Sequence, residues 1–223
     1  MFAPLTSGAE LAGLIQAVGF LPFFENEIPG FSVEEATPPE LWFQKDVEGP
    51  WEWKGPVLET GGCAYGKFFS GRAGFVSREW LPDFLNYRRD GYDFDARFDD
   101  GLASYKDKAV YDALCANDMI FSRDLKRLCG YQKGGNRGFE ALITRLQMQG
   151  YVVIGGFERL VDRHGKPYGW ANTRYSTPEA RFGTELVSQA YSVSPAQSRE
   201  RILGQLTTLL PGVPGEKLAK ILG

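Results

Sequence analysis

Apolar residues recur along this chain with two periods, one helical and one strand-like, and the switches between them outline the architecture. Near the start, Leu11, Leu14, Ile15 and Val18 fall three and four residues apart, which places them on one face of a helix. Ser7 stands where an N-cap would accept the first unpaired N–H groups, and Gly19 and Pro22 close the element. Ser32, with Glu35 three positions on, has the capping-box pattern, and Pro38 and Pro39 hold that helix to about two turns. A further short helix is predicted between Trp51 and Thr60, interrupted or begun near Pro56. CAYGKFFSGRAGFVS then reads as two strands around a Ser70-Gly71 turn. Trp80, Phe84 and Tyr87 recur at intervals of four and three, so a helix starting near Ser77 to Glu79 and ending at Asp90-Gly91 follows.

From Tyr105 the pattern becomes three helices and a hairpin. Val110, Tyr111, Leu114 and Cys115 share one side of the first helix, over 105–116. Ser122 is expected to cap the second, SRDLKRLCG, with Leu125 and Leu128 inward. Phe139, Leu142, Ile143 and Leu146 form the buried stripe of the third, which stops at Gly150. YVVIGGFERLV and PYGWANTRY are strand-like arms joined by DRHGK, where Gly165 suits a tight turn. This order predicts a winged helix-turn-helix, with the third helix placed for the major groove and the hairpin as the wing. TPEARFGTELVSQAY, SPAQSRERILGQLTTLL and PGEKLAKILG are predicted helices, the second with Ser194 and Gln197 as a capping box and Pro195 at its first position.

Charge sharpens this picture. Between Ser122 and Arg174 ten Lys or Arg face four acids, a local +6, while the whole chain carries −3 and the remainder therefore about −9. A basic module on an acidic body points to a polyanionic partner. Lys133 and Asn136 sit in the turn before the third helix, Arg137 and Arg145 lie off its apolar stripe, and the wing tip carries Arg163, His164 and Lys166. Winged helices also serve as dimerisation or docking modules, and Arg127 and Arg145 could instead pair with acids elsewhere. Lys67, Arg72, Arg88 and Arg89 form a second basic group, placed either to contact phosphate or to neutralise the Asp-rich stretch after it.

That stretch holds Asp90, Asp93, Asp95, Asp99 and Asp100, but it lacks the central Gly and closing Glu of a calcium loop. It is expected to be a solvated loop at a domain boundary. Cys63, Cys115 and Cys129 are too scattered for a disulfide framework or a zinc site, and a single histidine excludes any centre needing two imidazoles. The N-terminus has no early positive charge and no apolar run is long enough for a bilayer, so a cytoplasmic protein without membrane contact is expected. With 43% hydrophobic residues, 223 residues can bury one substantial core or two small ones.

The runs EIPGFSVEEATPPELWF, GPWEWKGPV, CAYGKFF, FVSREWLPDFLNYRRDGYDFDARFDDGLASYKD and TRLQMQGYVVI resemble the bacterial AlkZ-related proteins over nearly the whole chain. That family is named for similarity to the AlkZ and YcaQ DNA glycosylases, which are built from tandem winged-helix units and excise alkylated or crosslinked bases. The resemblance implies a DNA-facing protein. Those glycosylases position water with a Gln-x-Gln or Gln-x-Asp pair in an N-terminal segment, whereas the Gln147-Met148-Gln149 of this chain ends the third helix of the winged unit. Residues two apart on a helix point about 200° from each other, so this pair is not arranged to hold one water. Any hydrolysis would need another activating group. The candidates are Glu52, between Trp51 and Trp53, and Glu25, which with Glu27 lies in an aromatic, proline-bounded loop. Simple alternation would equally place both tryptophans in the core and Glu52 in solvent.

The expectation is therefore an α+β protein with an aromatic-rich α+β part over 1–100, a winged helix-turn-helix over 101–176, and helices over 177–223 packing on it. It would bind double-stranded DNA, with damaged DNA a candidate target, through Lys133, Asn136, Arg137, Arg145, Arg163, His164, Lys166, Arg88 and Arg89, without metal or organic cofactor. An active glycosylase using Glu52 or Glu25, and a protein-interaction scaffold, are the alternatives.

Overall fold

The computed structural model describes residues 2–42 and 47–222. Helix α1 (Gly8–Val18) forms where the apolar stripe predicts it. Ser7 Oγ accepts the Glu10 N–H, Leu11, Ile15 and Val18 are buried, and Gly19 leaves the helix at φ 81°. Strand β1 (Phe20–Pro22) and the one-turn helix α2 (Val33–Ala36), capped by Ser32, follow. Helix α3 (Pro50–Glu59) has Pro50 in its first turn and runs through Pro56, which neither begins nor interrupts it. The proline forfeits one backbone hydrogen bond, but burial of Trp53, Val57 and Leu58 on the inner face holds the turn together.

Strands β2 (Cys63–Phe69) and β3 (Arg72–Ser77) pair as a hairpin, and β1 adds to the other edge of β3. Ser70 and Gly71 both have positive φ, 49° and 78°, the geometry whose twist matches that of the flanking strands. The β2 register shifts between Gly66 and Phe69, and there the Lys67 N–H donates instead to Oε1 of Gln147 at 3.1 Å. Helix α4 (Leu81–Arg89) closes this part with Asp90 in the left-handed conformation.

The Asp-rich stretch is not a loop. Residues Phe94–Asp99 form α5, because Asp93 caps it by accepting the Ala96 N–H and Phe94 is buried between Tyr111, at 4.1 Å, and Tyr151, at 5.1 Å. One well-placed aromatic anchors a segment whose acids face outward. Then come α6 (Tyr105–Cys115), β4 (Ile120–Phe121), α7 (Ser122–Leu128), α8 (Phe139–Met148), β5 (Val153–Val161) and β6 (Pro167–Ser176). Ser122 is the first helical residue of α7, with Phe121 at the cap position. The sheet order is β4-β6-β5, all antiparallel. Val110, Leu114, Leu125, Ile143, Leu146 and Tyr151 make the core of this unit, into which Phe94 inserts.

Helices α9 (Pro178–Phe182), α10 (Thr184–Ser188), α11 (Pro195–Leu209) and α12 (Gly215–Leu222) complete the chain. Their packing differs from expectation. Ile202, Leu206, Leu218 and Leu222 share a core with Phe20, Phe68 and Phe84 and with Val153 of β5, so these helices cover mainly α4 and the first sheet and reach the 101–176 segment only at its edge. Buried polar contacts fix that docking, with Asn86 donating to Ser198 Oγ and Ser198 Oγ to Asp83, at 2.9 and 2.8 Å. The fold is α+β with two small antiparallel sheets.

Gln147 joins the two halves. It is fully buried, and besides accepting from Lys67 it donates to the Ile143 carbonyl at 3.1 Å. Gln147→Leu keeps the volume but leaves the Lys67 N–H without its acceptor, which should cost about 1 to 3 kcal/mol in urea denaturation. Gln149→Ala, at the helix end, should stay within about 0.5 kcal/mol of wild type. Equal stability of the two variants would refute the bridging role.

Candidate functional site

Of the ten cations between 122 and 174, five are tied to carboxylates. Lys126 meets Glu140, Arg123 and Arg127 meet Asp124, Arg145 meets Asp107, and Arg174 meets Glu158. Lys133, Arg137, Arg159, Arg163 and Lys166 have no ion-pair partner among the described residues, and all five are exposed. They occur in two places, the turn between α7 and α8 and the outer half of the β5–β6 hairpin.

Both places are shaped by local hydrogen bonds. In the turn, Asn136 donates its backbone N–H to the Gly130 carbonyl at 2.8 Å and its side-chain amide to the Cys129 carbonyl at 3.0 Å, closing the loop that presents Lys133 and Arg137. At the hairpin tip, Asp162 Oδ1 accepts the N–H groups of His164 and Lys166 at 2.8 and 2.9 Å, and Arg163 Nε donates to His164 Nε2 at 3.0 Å. The fourth acid of the basic segment thus orders the tip rather than neutralising a side chain.

The remaining arginines of the sequence reading are differently placed. Arg145, its side chain 49% exposed, reaches Asp107, which also caps α6 through Ser104. Desolvation raises the Asp107 pKa, but the hydrogen bonds from Ser104 and the Arg145 guanidinium outweigh it and hold the carboxyl below its ordinary value. Arg88 is half-buried over the Phe84 and Tyr87 rings, donates to the Phe68 carbonyl, and has its pKa pulled down by burial to about 10. Arg89 is not a surface cation. Only 1% exposed, it donates to the Gly150 carbonyl, to Glu179 and to Tyr191, and its ion pair is with Glu179 rather than with any carboxylate of the Asp-rich segment. Successive helical residues point about 100° apart, and Arg89 falls on the face of α4 turned toward the end of α8.

The acidic candidates separate as well. Glu25 lies at a cleft of about 840 Å³ lined also by Phe24, Asn26, Glu27, Lys67 and Arg72. Its loop is held from both sides, the Glu25 N–H donating to Glu34 and its carbonyl accepting from Arg72, each at 2.7 Å, while Glu27 pairs with Lys220. The Glu25 side chain itself is exposed. Glu52, by contrast, accepts the Gly49 N–H at 3.0 Å and so caps α3. A Cβ on Gly49 would lie 1.9 Å from the Leu41 carbonyl oxygen, so only glycine lets the chain enter α3 here. Trp53 and Tyr65 are core residues, and Trp51 packs on Phe23 and Trp42, so this aromatic trio builds the interior rather than a cleft around Glu52.

One group escaped the sequence reading. Lys54 Nζ lies 4.3 Å from the ring centroids of both Trp51 and Phe157, and burial lowers its pKa to about 8 against the opposing pull of Glu52. The spacing of Trp51 and Lys54, three apart on one helix, was the available signal. Since an unfolded lysine titrates near about 10.4, the unfolded chain holds more protons from about pH 8 upward, and native stability gains as pH rises through this window. Burial pushes the Cys63 thiol up to about 12, which acts in the opposite direction. The informative quantity is a difference: wild type should gain stability relative to Lys54→Met between about pH 7.5 and 10, whereas a constant gap in denaturation midpoints would contradict the buried amine.

Among the described residues no helix is long and apolar enough to cross a membrane, and no three of His, Cys, Asp and Glu are grouped to hold a metal ion. Cys63, Cys115 and Cys129 are unpaired thiols. No curated protein and no solved structure matches the chain. The model of one family, described as AlkZ related, matches residues 5–223, from the segment ahead of α1 through the exposed turn and hairpin cations to the end of α12, and the chain belongs to that family.

Proposed function

We propose that this protein binds double-stranded DNA, with 101–176 acting as a winged helix-turn-helix. The order helix, strand, helix, helix, hairpin and the sheet order β4-β6-β5 support that reading. In it α8 approaches the major groove and the β5–β6 hairpin is the wing. The observation that carries the proposal is the segregation of unpaired charge to the turn before α8 and to the outer hairpin, the two positions from which such a unit reaches phosphates. Lys133, Arg137, Arg159, Arg163, His164 and Lys166 are the contacts, and Asn136 shapes the turn. Arg145 lies off the apolar stripe of α8 but is held by Asp107, so its contribution is expected to be small. Membership of the AlkZ-related family supports DNA as the polyanion.

Fluorescence anisotropy with a labelled duplex tests this. Arg137→Ala and Arg163→Ala should each weaken binding, and unchanged affinity in both would return the unit to the docking-scaffold reading. A second reading, hydrolysis of the N-glycosidic bond of an alkylated base, is favoured by the cleft beside the exposed Glu25, where a carboxylate can activate water. Glu25→Gln should then abolish base release from alkylated duplex while retaining its binding. Release undiminished in that variant would remove Glu25 from the mechanism.

A further inference from the structure

Beside the cleft at Glu25 lies a more enclosed pocket of about 270 Å³, with which it shares Phe24, Asn26, Glu27 and Arg72. Its floor and walls include Phe24, Phe69 and Ile221, while Arg72, Lys217 and Lys220 stand at its edge. The three cations face a single carboxylate, Glu27, which Lys220 engages at 2.5 Å. The Arg72 guanidinium is fixed by its bond to the Glu25 carbonyl through Nη1, which leaves its other N–H groups to a ligand. A pocket that is apolar within and cationic at the rim selects a small molecule of the same polarity, a flat apolar body carrying an anionic group.

We infer that this pocket holds one nucleotide, its base against the part-exposed Phe24 and Ile221 and its phosphate on Arg72, Lys217 and Lys220. Aromatic side chains stack on any base, and an arginine fork with two lysines suits a phosphate better than a monovalent carboxylate. The volume admits a base but no duplex. The pocket is also adjacent to α8: a Cβ on Gly71 would lie 3.7 Å from Met148 and Thr144, while the neighbouring Ser70 hydroxyl donates to the Lys220 carbonyl at 3.2 Å. The β2–β3 turn therefore separates α8 from the pocket by its own width. The choice of a nucleotide over other aromatic anions rests on the DNA-binding reading, and two sources share its chemistry, a free mononucleotide and a nucleotide of a single strand.

The test is isothermal titration of the whole protein with deoxyadenosine monophosphate, inorganic phosphate, deoxyadenosine and a short single-stranded oligonucleotide. The monophosphate or the oligonucleotide should bind at least about tenfold more tightly than either phosphate or the nucleoside. Lys217→Glu, on an exposed position, should cancel that advantage and Lys217→Arg should keep it. A preference for the monophosphate identifies a free ligand, and a preference for the oligonucleotide identifies a strand. Equal affinity for all four, no binding, or binding indifferent to Lys217→Glu overturns the inference. Because no duplex is used, nucleotide binding in a protein that ignores duplex DNA would sink the proposed function and leave the pocket standing, and the converse result would do the reverse.

Discussion

Replacing Arg89 with methionine is expected to remove about 3 to 5 kcal/mol of stability, because it takes a fully buried guanidinium from the part-exposed Glu179 and from the buried Gly150 carbonyl. Against a total of about 5 to 15 kcal/mol for a protein of ordinary stability, that is enough to unfold much of the population at moderate temperature. The guanidinium donates twice to the Gly150 carbonyl, at 3.2 and 2.9 Å, and once each to Glu179 and Tyr191, both at 2.8 Å. Burial by itself would pull its pKa down, but Glu179 and Tyr191 hold it above the ordinary arginine value. The Gly150 carbonyl just follows α8, at the end where a cation is favourable to a helix, so one side chain joins α4, the end of α8 and α9. Arg89→Lys keeps the charge but cannot supply the planar fork, and its loss should be intermediate. Adding Glu179→Met to Arg89→Met should recover part of the loss, since the unpaired carboxylate is then gone too. Urea denaturation reads all three, and Arg89→Met within about 1 kcal/mol of wild type would show that the pair contributes little.

Arg89 also shows where sequence reasoning stops. Nothing in Arg88-Arg89 tells which arginine faces the interior, because that depends on what α4 meets, and its partners come from residues 150, 179 and 191. The same holds for Gln147, whose acceptor role depends on a register shift in β2, eighty positions away. Local signals did better. Ser7, Ser32 and Ser194 cap where their spacing predicts, the Ser70-Gly71 turn is a hairpin turn, and the Phe139 to Leu146 stripe is buried. Helix α5 was missed because its acids dominate the pattern and only Phe94 carries the packing. For the candidate site, the exposed cations were legible as composition, but their division into paired and unpaired sets was not. Lys126 could be matched to Glu140 only once α7 and α8 were set side by side.

That division makes a quantitative prediction for DNA. If Lys133, Arg137, Arg159, Arg163 and Lys166 each neutralise one phosphate, log K should fall with log salt at a slope of about −4.5, so that raising salt from 50 to 200 mM weakens binding about 500-fold. Arg137→Ala with Arg163→Ala should reduce the slope to about −2.7, because two counterions fewer are released. Cations already held by the protein should contribute little. Arg127 or Arg174 must surrender Asp124 or Glu158 to reach a phosphate, so alanine at either position should leave the slope near the wild-type value. The rest of the chain, at about −9, repels DNA over a distance that shrinks to about 10 Å at 0.1 M salt. This opposing term should flatten the slope only below that concentration, which separates it from lost contacts, whose effect persists throughout. A slope near zero, or one equally reduced by Arg174→Ala and Arg163→Ala, would mean that the unpaired cations do not meet a nucleic-acid backbone and that the basic unit docks a protein instead.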